Sequence, residues 1–147
     1  MKIDETSIAI LQHLREGRKS FRKIARDVGV SENTVRARVT DLMEQGRLEI
    51  TGVMDPAGIP GHRLALIGVK LSTMELVKKG EEFSRLKGVV WVSVVTGRYD
   101  LFLQVLFNDS FGLLEFYTQE VSRIQDVQSV ETFVVYKGYR TKVPYVL

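Results

Sequence analysis

The sequence predicts an α+β protein: an N-terminal winged helix-turn-helix, followed by a ferredoxin-like βαββαβ domain with a four-stranded antiparallel sheet. Apolar residues recur at helical spacing through residues 1–46. The segment MDPAGIPG at 54–61 breaks that periodicity. From residue 62 onward, β-branched strands alternate with helices. The predicted domains are therefore 1–53 and 62–147, joined by a linker at 54–61.

Three helices and a short wing are predicted for the first domain. Asp4 can cap the first helix, which runs to about residue 16. The second helix has apolar residues at i, i+3, i+4 and i+7 and ends at Gly29. These residues are Phe21, Ile24, Ala25 and Val28. After Gly46, the apolar residues Leu48, Ile50 and Val53 predict a strand or hairpin, the wing.

The third helix begins after Ser31, a natural N-cap, and ends at Gly46. Its predicted buried stripe consists of Val35, Val39, Leu42 and Met43. A polar and basic set is left pointing outward near its start: Glu32, Asn33, Thr34, Arg36, Ala37 and Arg38. A helix–glycine turn–helix whose second helix offers such residues is the pattern of DNA-reading proteins.

The distribution of charge supports a nucleic-acid partner. The 147-residue chain has a net charge of only +3. Between Arg15 and Arg38, eight basic residues face three acidic ones, a surplus of five that exceeds the surplus of the whole chain. Concentrated positive charge is expected of a phosphate-binding surface, although a solvated helix face would show the same pattern.

Candidate DNA contacts follow from side-chain chemistry. Arg36 and Arg38 can pair with guanine or phosphate, and Asn33 with adenine. The full set on the third helix is Ser31, Glu32, Asn33, Thr34, Arg36 and Arg38. Ser31 could instead be a plain N-cap. Lys19, Arg22 and Lys23 are candidates for phosphate contacts, or else belong to a solvated face. The expected partner is a dyad-symmetric double-stranded DNA.

The second domain is predicted to contain strands at 63–72, 89–95, 101–107 and 127–136, with helices at 73–86 and 110–124. Leu114, Tyr117, Val121 and Ile124 form the predicted buried stripe of the second helix. Both faces of the second strand are apolar, with Val90, Val92 and Val94 on one and Val89, Trp91 and Val95 on the other. The two helices cover one sheet face, so we expect a second copy to cover the other and form a homodimer.

Three segments together resemble the Lrp/AsnC family of transcription regulators: residues 3–50, VTGRYDLFLQV at 95–105, and VQSVETFVVYKG at 127–138. The resemblance implies a winged helix, a dimerising sheet domain that assembles further, for example into octamers, and regulation by an effector, commonly an amino acid. It places the effector at Gly97, Tyr99, Asp100 and Thr132. Asp100 could bind the ammonium, and Arg98 or a backbone N–H near Gly97 the carboxylate. The alternative is structural: a glycine turn that Asp100 caps, with Tyr99 at an interface.

Other functions remain open at this stage. A nucleoid-type architectural protein would bind DNA with little base discrimination. Siroheme decarboxylases resemble Lrp/AsnC proteins, but their chemistry would need a cluster of acid and arginine groups, and His13 and His62 are isolated. No enzyme activity, metal or cofactor is therefore predicted. The chain has no cysteine and no membrane-spanning apolar run, so a cytoplasmic location is expected.

Overall fold

The computed structural model describes residues 3–147, which form two compact units that divide between Thr51 and Gly52. The first unit contains three helices: α1 (Glu5–Leu14), α2 (Phe21–Val28) and α3 (Glu32–Glu44). Helices α1 and α3 begin after the predicted caps, because Asp4 and Ser31 each accept the backbone N–H three residues ahead. Ser20 caps α2 in the same way, although this cap was not predicted from the sequence. The predicted helix-turn-helix is confirmed.

One small core joins the three helices. It consists of Ile10, Ile24, Ala25, Val35 and Val39, which are all buried. Met43 is a correction to the predicted stripe, since it is exposed whereas its neighbour Leu42 is buried. Successive helical residues are separated by about 100°, so a helix that buries Leu42 against α1 and α2 turns Met43 toward solvent.

The predicted wing is wrong. Residues 48–53 form no strand, and Ile50 and Val53 are exposed. A hairpin needs two strands that satisfy each other's backbone groups, and this segment pairs with nothing among the described residues. The first backbone pairing after α3 is made by Met54, which bridges to Val143 in the second unit.

The segment predicted as a linker is ordered within the second unit. Met54 N–H donates to the Val143 carbonyl at 2.9 Å, and the reverse bond has the same length. Asp55 accepts the Ala57 N–H at 3.1 Å and caps a short 3₁₀ turn, Pro56–Gly58. Pro56 is buried.

The second unit has the predicted four-stranded antiparallel sheet. Its strands are β1 (Arg63–Leu71), β2 (Val89–Val94), β3 (Leu101–Phe107) and β4 (Val127–Val134). Their order is β2-β3-β1-β4, and the central pairing and both outer pairings are antiparallel. This is the order of a ferredoxin-like βαββαβ unit.

Both predicted helices of this unit start later than expected. Helix α4 spans Leu76–Ser84, because the Thr73 hydroxyl accepts the Glu75 N–H and shapes a turn before the helix. The second helical segment opens with α5 (Leu113–Glu115), continues through a π turn and ends in a 3₁₀ turn at Arg123. Phe116 is buried and Leu114 is 70% exposed, so Leu114 is a correction to the predicted stripe. Tyr117, Val121 and Ile124 pack against the core as predicted.

The main core lies between the sheet and its helices, where Ile67 and Leu103 pack with Phe83 and Phe116. A register shift between Val89 and Trp91 interrupts the alternation of β2, so Val89 and Val92 both pack on this core while Val90 packs on the opposite face. The predicted grouping of Val90 with Val92 is therefore wrong.

The opposite face is not wholly uncovered, as the sequence had suggested. At one end, Val143 packs against Leu64 and Leu106, so the chain's own C-terminal segment covers that end. Trp91 and Phe133 stay exposed nearer the middle. Within residues 3–147, no helix has the length and apolar character that crossing a bilayer would need.

Candidate nucleic-acid interface and effector site

Helix α3 presents its first turns on a rigid frame. Gly29 adopts φ 77°, a left-handed conformation that ends α2 and turns the chain toward α3. Ser31 then accepts the Thr34 N–H at 3.1 Å, and the two hydroxyls lie 2.8 Å apart. The Ser31 side chain is therefore occupied as an N-cap, and the Thr34 hydroxyl is its partner. Asn33 is exposed beside them.

Arg36 lies on the exposed face of α3, where the sequence predicted it. Its guanidinium donates to Glu32 Oε1 at 3.1 Å, one helical turn earlier. The same group lies 5.5 Å above the Phe21 ring of α2. Its side chain is 61% exposed, so these contacts orient the guanidinium without removing it from solvent.

Arg38 does not share this face, although the sequence predicted it to point outward. Its Nη1 donates to Asp4 Oδ1 at 2.5 Å and to Ser7 Oγ at 2.8 Å, and its side chain is only 22% exposed. Position 38 follows Val35 by three residues and precedes Leu42 by four, so it borders the buried stripe. The Ser7 N–H and the Arg38 guanidinium lower the pKa of Asp4 to about 2.

Lys19 is also committed to a contact inside the first unit. Its ammonium lies 2.8 Å from Asp27 Oδ2 and donates to His13 Nδ1 at 2.7 Å. Its side chain is 7% exposed, and its hydrogen bond lowers the pKa of Asp27. The Lys19 ammonium therefore links the segment before α2 to α1 and to the end of α2. Because it is nearly buried and already paired, it is not exposed for the phosphate contact that the sequence predicted.

Arg22 and Lys23, by contrast, are exposed on the first turn of α2. Neither forms an ion pair with another described residue. Of the predicted DNA contacts, the basic residues that remain exposed are thus Arg22 and Lys23 on α2 and Arg36 on α3, with Asn33 exposed on α3 as well. We call these four residues the recognition surface.

The predicted effector turn follows β2. Gly97 adopts φ 125°, which favours glycine. Asp100 accepts the Leu71 N–H at 2.8 Å and the Lys70 ammonium at 2.9 Å. These two bonds lower its pKa. Both carboxylate oxygens of Asp100 therefore fix the turn to β1. The role is structural, but its partners lie on β1, whereas the alternative raised from the sequence placed them in the turn's own backbone.

Tyr99 and Arg98 converge on Glu131 of β4. The Tyr99 hydroxyl donates to Glu131 Oε2, and an Arg98 Nη2 lies 3.4 Å from the same oxygen. The Tyr99 ring covers Gly68, where a Cβ would lie 2.7 Å from Cδ1 of the ring. Sequence reasoning missed Gly68 and Glu131, because only the strand register brings them opposite each other.

Thr132 lies apart from the turn residues, on the helix-facing side of the sheet. Its hydroxyl is 2.6 Å from that of Tyr117, whose pKa is raised by burial. It borders a largely apolar cavity of about 280 Å³ between β4 and the start of α5, with Leu113 and Val134 on its walls. Alternation along β4 explains the separation, because Glu131 and Thr132 must point to opposite faces.

These two units define a class: DNA-binding regulators that join a helix-turn-helix to a ligand-binding sheet domain. Residues 3–43 match the AsnC-type helix-turn-helix domain, and residues 64–144 match the Lrp/AsnC ligand binding domain. The chain belongs to the Lrp/AsnC family of transcriptional regulators, as the sequence motifs indicated.

Relatives cover nearly the whole chain. An uncharacterized HTH-type transcriptional regulator of Pyrococcus abyssi is 31% identical over 137 residues, 92% of this chain and 87% of that protein. The regulatory protein AsnC of Haemophilus influenzae is 28% identical and covers 90% of each chain.

Solved structures share the fold. Escherichia coli AsnC has a TM-score of 0.69 at 23% identity, over 94% of this chain and 95% of that one. A Neisseria meningitidis transcriptional regulator, solved as a complex with L-Met, has a TM-score of 0.71 at 23% identity, over 99% and 96% of the two chains.

Proposed function

We propose that this regulator reads DNA through the recognition surface, with the start of α3 in the major groove. The observation that carries the proposal is the exposed position of Asn33 and Arg36 on the first turns of α3, next to Arg22 and Lys23 on α2. An asparagine amide matches the N6 and N7 edge of adenine, and a guanidinium matches guanine O6 and N7. Arg22 and Lys23 provide the phosphate contacts that fix the register.

The contacts of Arg36 support a reading role. Glu32 and Phe21 hold the guanidinium at the surface in a limited set of orientations, which reduces the entropy that base pairing would cost. When Arg36 binds a base, its hydrogen bond to Glu32 must break. The Glu32 carboxylate can then accept a hydrogen bond from a cytosine N4 amine. Arg38 and Lys19 are assigned to positioning α3 and α2, not to DNA.

We further propose that the protein works as a homodimer, and in larger assemblies such as an octamer. Four residues form one row across the helix-free sheet face, in the order Trp91, Gln104, Leu66 and Phe133. Trp91 and Phe133 are 41% and 42% exposed, so the row leaves large apolar surfaces for a second copy. Two-fold pairing would place two α3 helices on half-sites one helical turn or a multiple apart.

An amino acid is the proposed effector class. Arg98 is 80% exposed and can bind a carboxylate, while the Glu131 carboxylate can accept from an ammonium. Asp100 then acts by holding the turn. The Neisseria structure, a complex with L-Met, is consistent with this class of ligand. The proposed site of action is the cytoplasm.

Binding-site selection from random duplex DNA tests the recognition surface. Arg36→Ala is expected to weaken binding to the selected duplex by about 1–3 kcal/mol, with little effect on a scrambled duplex of equal length. Arg22→Ala is expected to weaken binding to both duplexes alike. Equal, sequence-independent binding by the unmodified protein would instead support an architectural role, and unchanged affinity in both variants would refute the assignment.

Sedimentation of a Phe133→Glu variant tests the dimer. A charge in the apolar row should convert dimer to monomer, because an uncompensated carboxylate cannot be buried there. Val134→Glu, on the adjacent helix-facing position, is the matched control and should keep the oligomeric state of the unmodified protein. Equal sedimentation of all three proteins would reject the sheet face as the interface.

A further inference from the structure

The C-terminal segment 136–145, YKGYRTKVPY, carries a second concentration of positive charge. It contains Lys137, Arg140 and Lys142, and no acidic residue occurs between Thr132 and the last residue, Leu147. All three cations are exposed, and none forms an ion pair with another described residue. We call these three residues, with Tyr136 and Tyr139, the C-terminal basic strip.

Tyrosine side chains are interleaved with the cations. Tyr136 is 102% exposed and Tyr139 is 83% exposed, values unusual for such large side chains in the absence of a partner. The Lys137 ammonium lies 5.9 Å from the centre of the Tyr139 ring, which holds this cation near the ring instead of leaving it to move freely. The strip thus offers oriented cations and phenol hydroxyl donors.

The backbone of the strip has a defined shape. Arg140 has φ 57°, a left-handed conformation that non-glycine residues rarely adopt. Gly138 lies against Thr141, where a Cβ would be 2.6 Å from the side chain. The nearby Asp55 carboxylate borders the same cleft, but it accepts the Ala57 N–H. Next to the strip, Val143 pairs with Met54, three residues after the end of the first unit.

We propose that the C-terminal basic strip is a second DNA-contacting surface, which binds the sugar–phosphate backbone without reading bases. Lys137, Arg140 and Lys142 neutralise phosphates, and the Tyr136 and Tyr139 hydroxyls donate to phosphate oxygens. Five donors and no acidic residue within the strip suit the sugar–phosphate backbone, to which about half or more of protein–DNA hydrogen bonds are made. The inference rests on the proposed DNA-binding function and extends the footprint beyond the recognition surface.

The salt dependence of binding tests the strip in the full-length protein. Each phosphate contact contributes about 0.9 to the slope of log K against log salt. Lys137→Gln/Arg140→Gln/Lys142→Gln should therefore reduce that slope by about 2.7 for each bound protomer, on both a selected and a scrambled duplex. The matched control is Lys78→Gln/Arg85→Gln/Arg123→Gln, which removes the same charge from exposed positions paired with glutamates. This control should keep a slope close to that of the unmodified protein.

The tyrosines supply a second, independent readout. Tyr136→Phe/Tyr139→Phe removes two neutral donors, so affinity should fall by the same factor on both duplexes while the slope stays constant. A loss confined to the selected duplex would overturn the backbone assignment. The proposal is also overturned if the two triple variants have equal slopes, or if the strip variant changes only the sedimentation of the protein, as a contact between copies would.

The same titrations separate this inference from the proposed function. If Arg36→Ala leaves the selected duplex bound normally, the recognition surface is wrong, yet the strip can still be judged from the scrambled duplex. If Arg36→Ala abolishes selectivity and the strip variant retains the full salt slope, only the strip is rejected.

Discussion

Arg38 Nη1 donates to Asp4 Oδ1 at 2.5 Å, so the residue that caps α1 also holds one face of α3 against α1. Asp4 simultaneously accepts the Ser7 N–H at 2.8 Å, and Arg38 reaches the Ser7 hydroxyl as well. Position 38 thus holds the recognition helix against α1, while position 36, half a turn away, faces solvent. One arginine orients the helix, and the other remains exposed for the proposed DNA contact.

Replacing Arg38 should therefore destabilise the first unit. Arg38→Ala leaves the Asp4 carboxylate without its cation and removes a contact between α1 and α3. Far-UV circular dichroism should show an earlier loss of helix, whereas fluorescence of Trp91, the chain's one tryptophan, should report an unchanged second unit. Arg36→Ala is the control and should unfold like the unmodified protein. The interpretation fails if Arg38→Ala unfolds normally but loses DNA selectivity.

The lowered pKa of the Asp4 carboxylate predicts that the first unit loses stability at acidic pH. The pKa of Asp4 is about 2 in the folded chain against an ordinary value of 3.8, so the unfolded chain binds more protons between these values. Its contribution to stability is complete above about pH 4 and is lost as pH falls toward about 2. In Asp4→Asn, the helical transition should be less dependent on pH across this window. An equal pH dependence in both proteins would contradict the role of Asp4.

Two lysines four residues apart should behave differently. Lys19→Met removes a nearly buried cation from Asp27 and should lower the melting temperature of the first unit. Lys23→Met, at an exposed position, should leave melting unchanged and reduce the salt slope of DNA binding by about 0.9 for each bound protomer. If the two effects were exchanged, with Lys19 governing the salt slope, the phosphate contact would belong to Lys19 after all.

Asp100 should contribute to the stability of the second unit even when no effector is bound. Asp100→Ala breaks the bonds to the Leu71 N–H and Lys70, and we expect a loss of about 1–3 kcal/mol in the second unit, read by Trp91 fluorescence. Asp109→Ala, which removes an exposed partner of Arg63, should cost about 0–1 kcal/mol. Comparable stability of the two variants would show that the Asp100 carboxylate does not fix the turn.

Gly68 should tolerate no side chain. A Cβ at this position would meet the Tyr99 ring, so Gly68→Ala must displace the ring and weaken the bond to Glu131. Overpacking of this kind costs about 1–3 kcal/mol. Denaturant unfolding of Gly68→Ala and Gly52→Ala compares a crowded glycine with one that has open space around it. Equal stability of the two variants would indicate that Tyr99 moves away without cost.

The sequence by itself determined the local elements, because caps, glycine turns and apolar spacing act over a few residues. Asp4, Gly29 and Ser31 could be placed for this reason, and β3 was predicted to the residue. The tertiary structure decided which basic side chains are held in ion pairs within the first unit and which remain exposed. Periodicity treats Lys19, Lys23, Arg36 and Arg38 as equivalent cations, but only packing brings Asp27 and Asp4 to two of them.

In the second unit, too, long-range contacts decided what short-range sequence patterns could not. Strand register, which depends on pairing across the sheet, brought Glu131 opposite Gly68 and sent Thr132 to the other face. Packing against the sheet buried Phe116 and left Leu114 exposed, and no wing forms because residues 48–53 have no partner strand among the described residues. Short-range patterns fix the elements, whereas long-range contacts fix which side chains those elements leave available for DNA and effector.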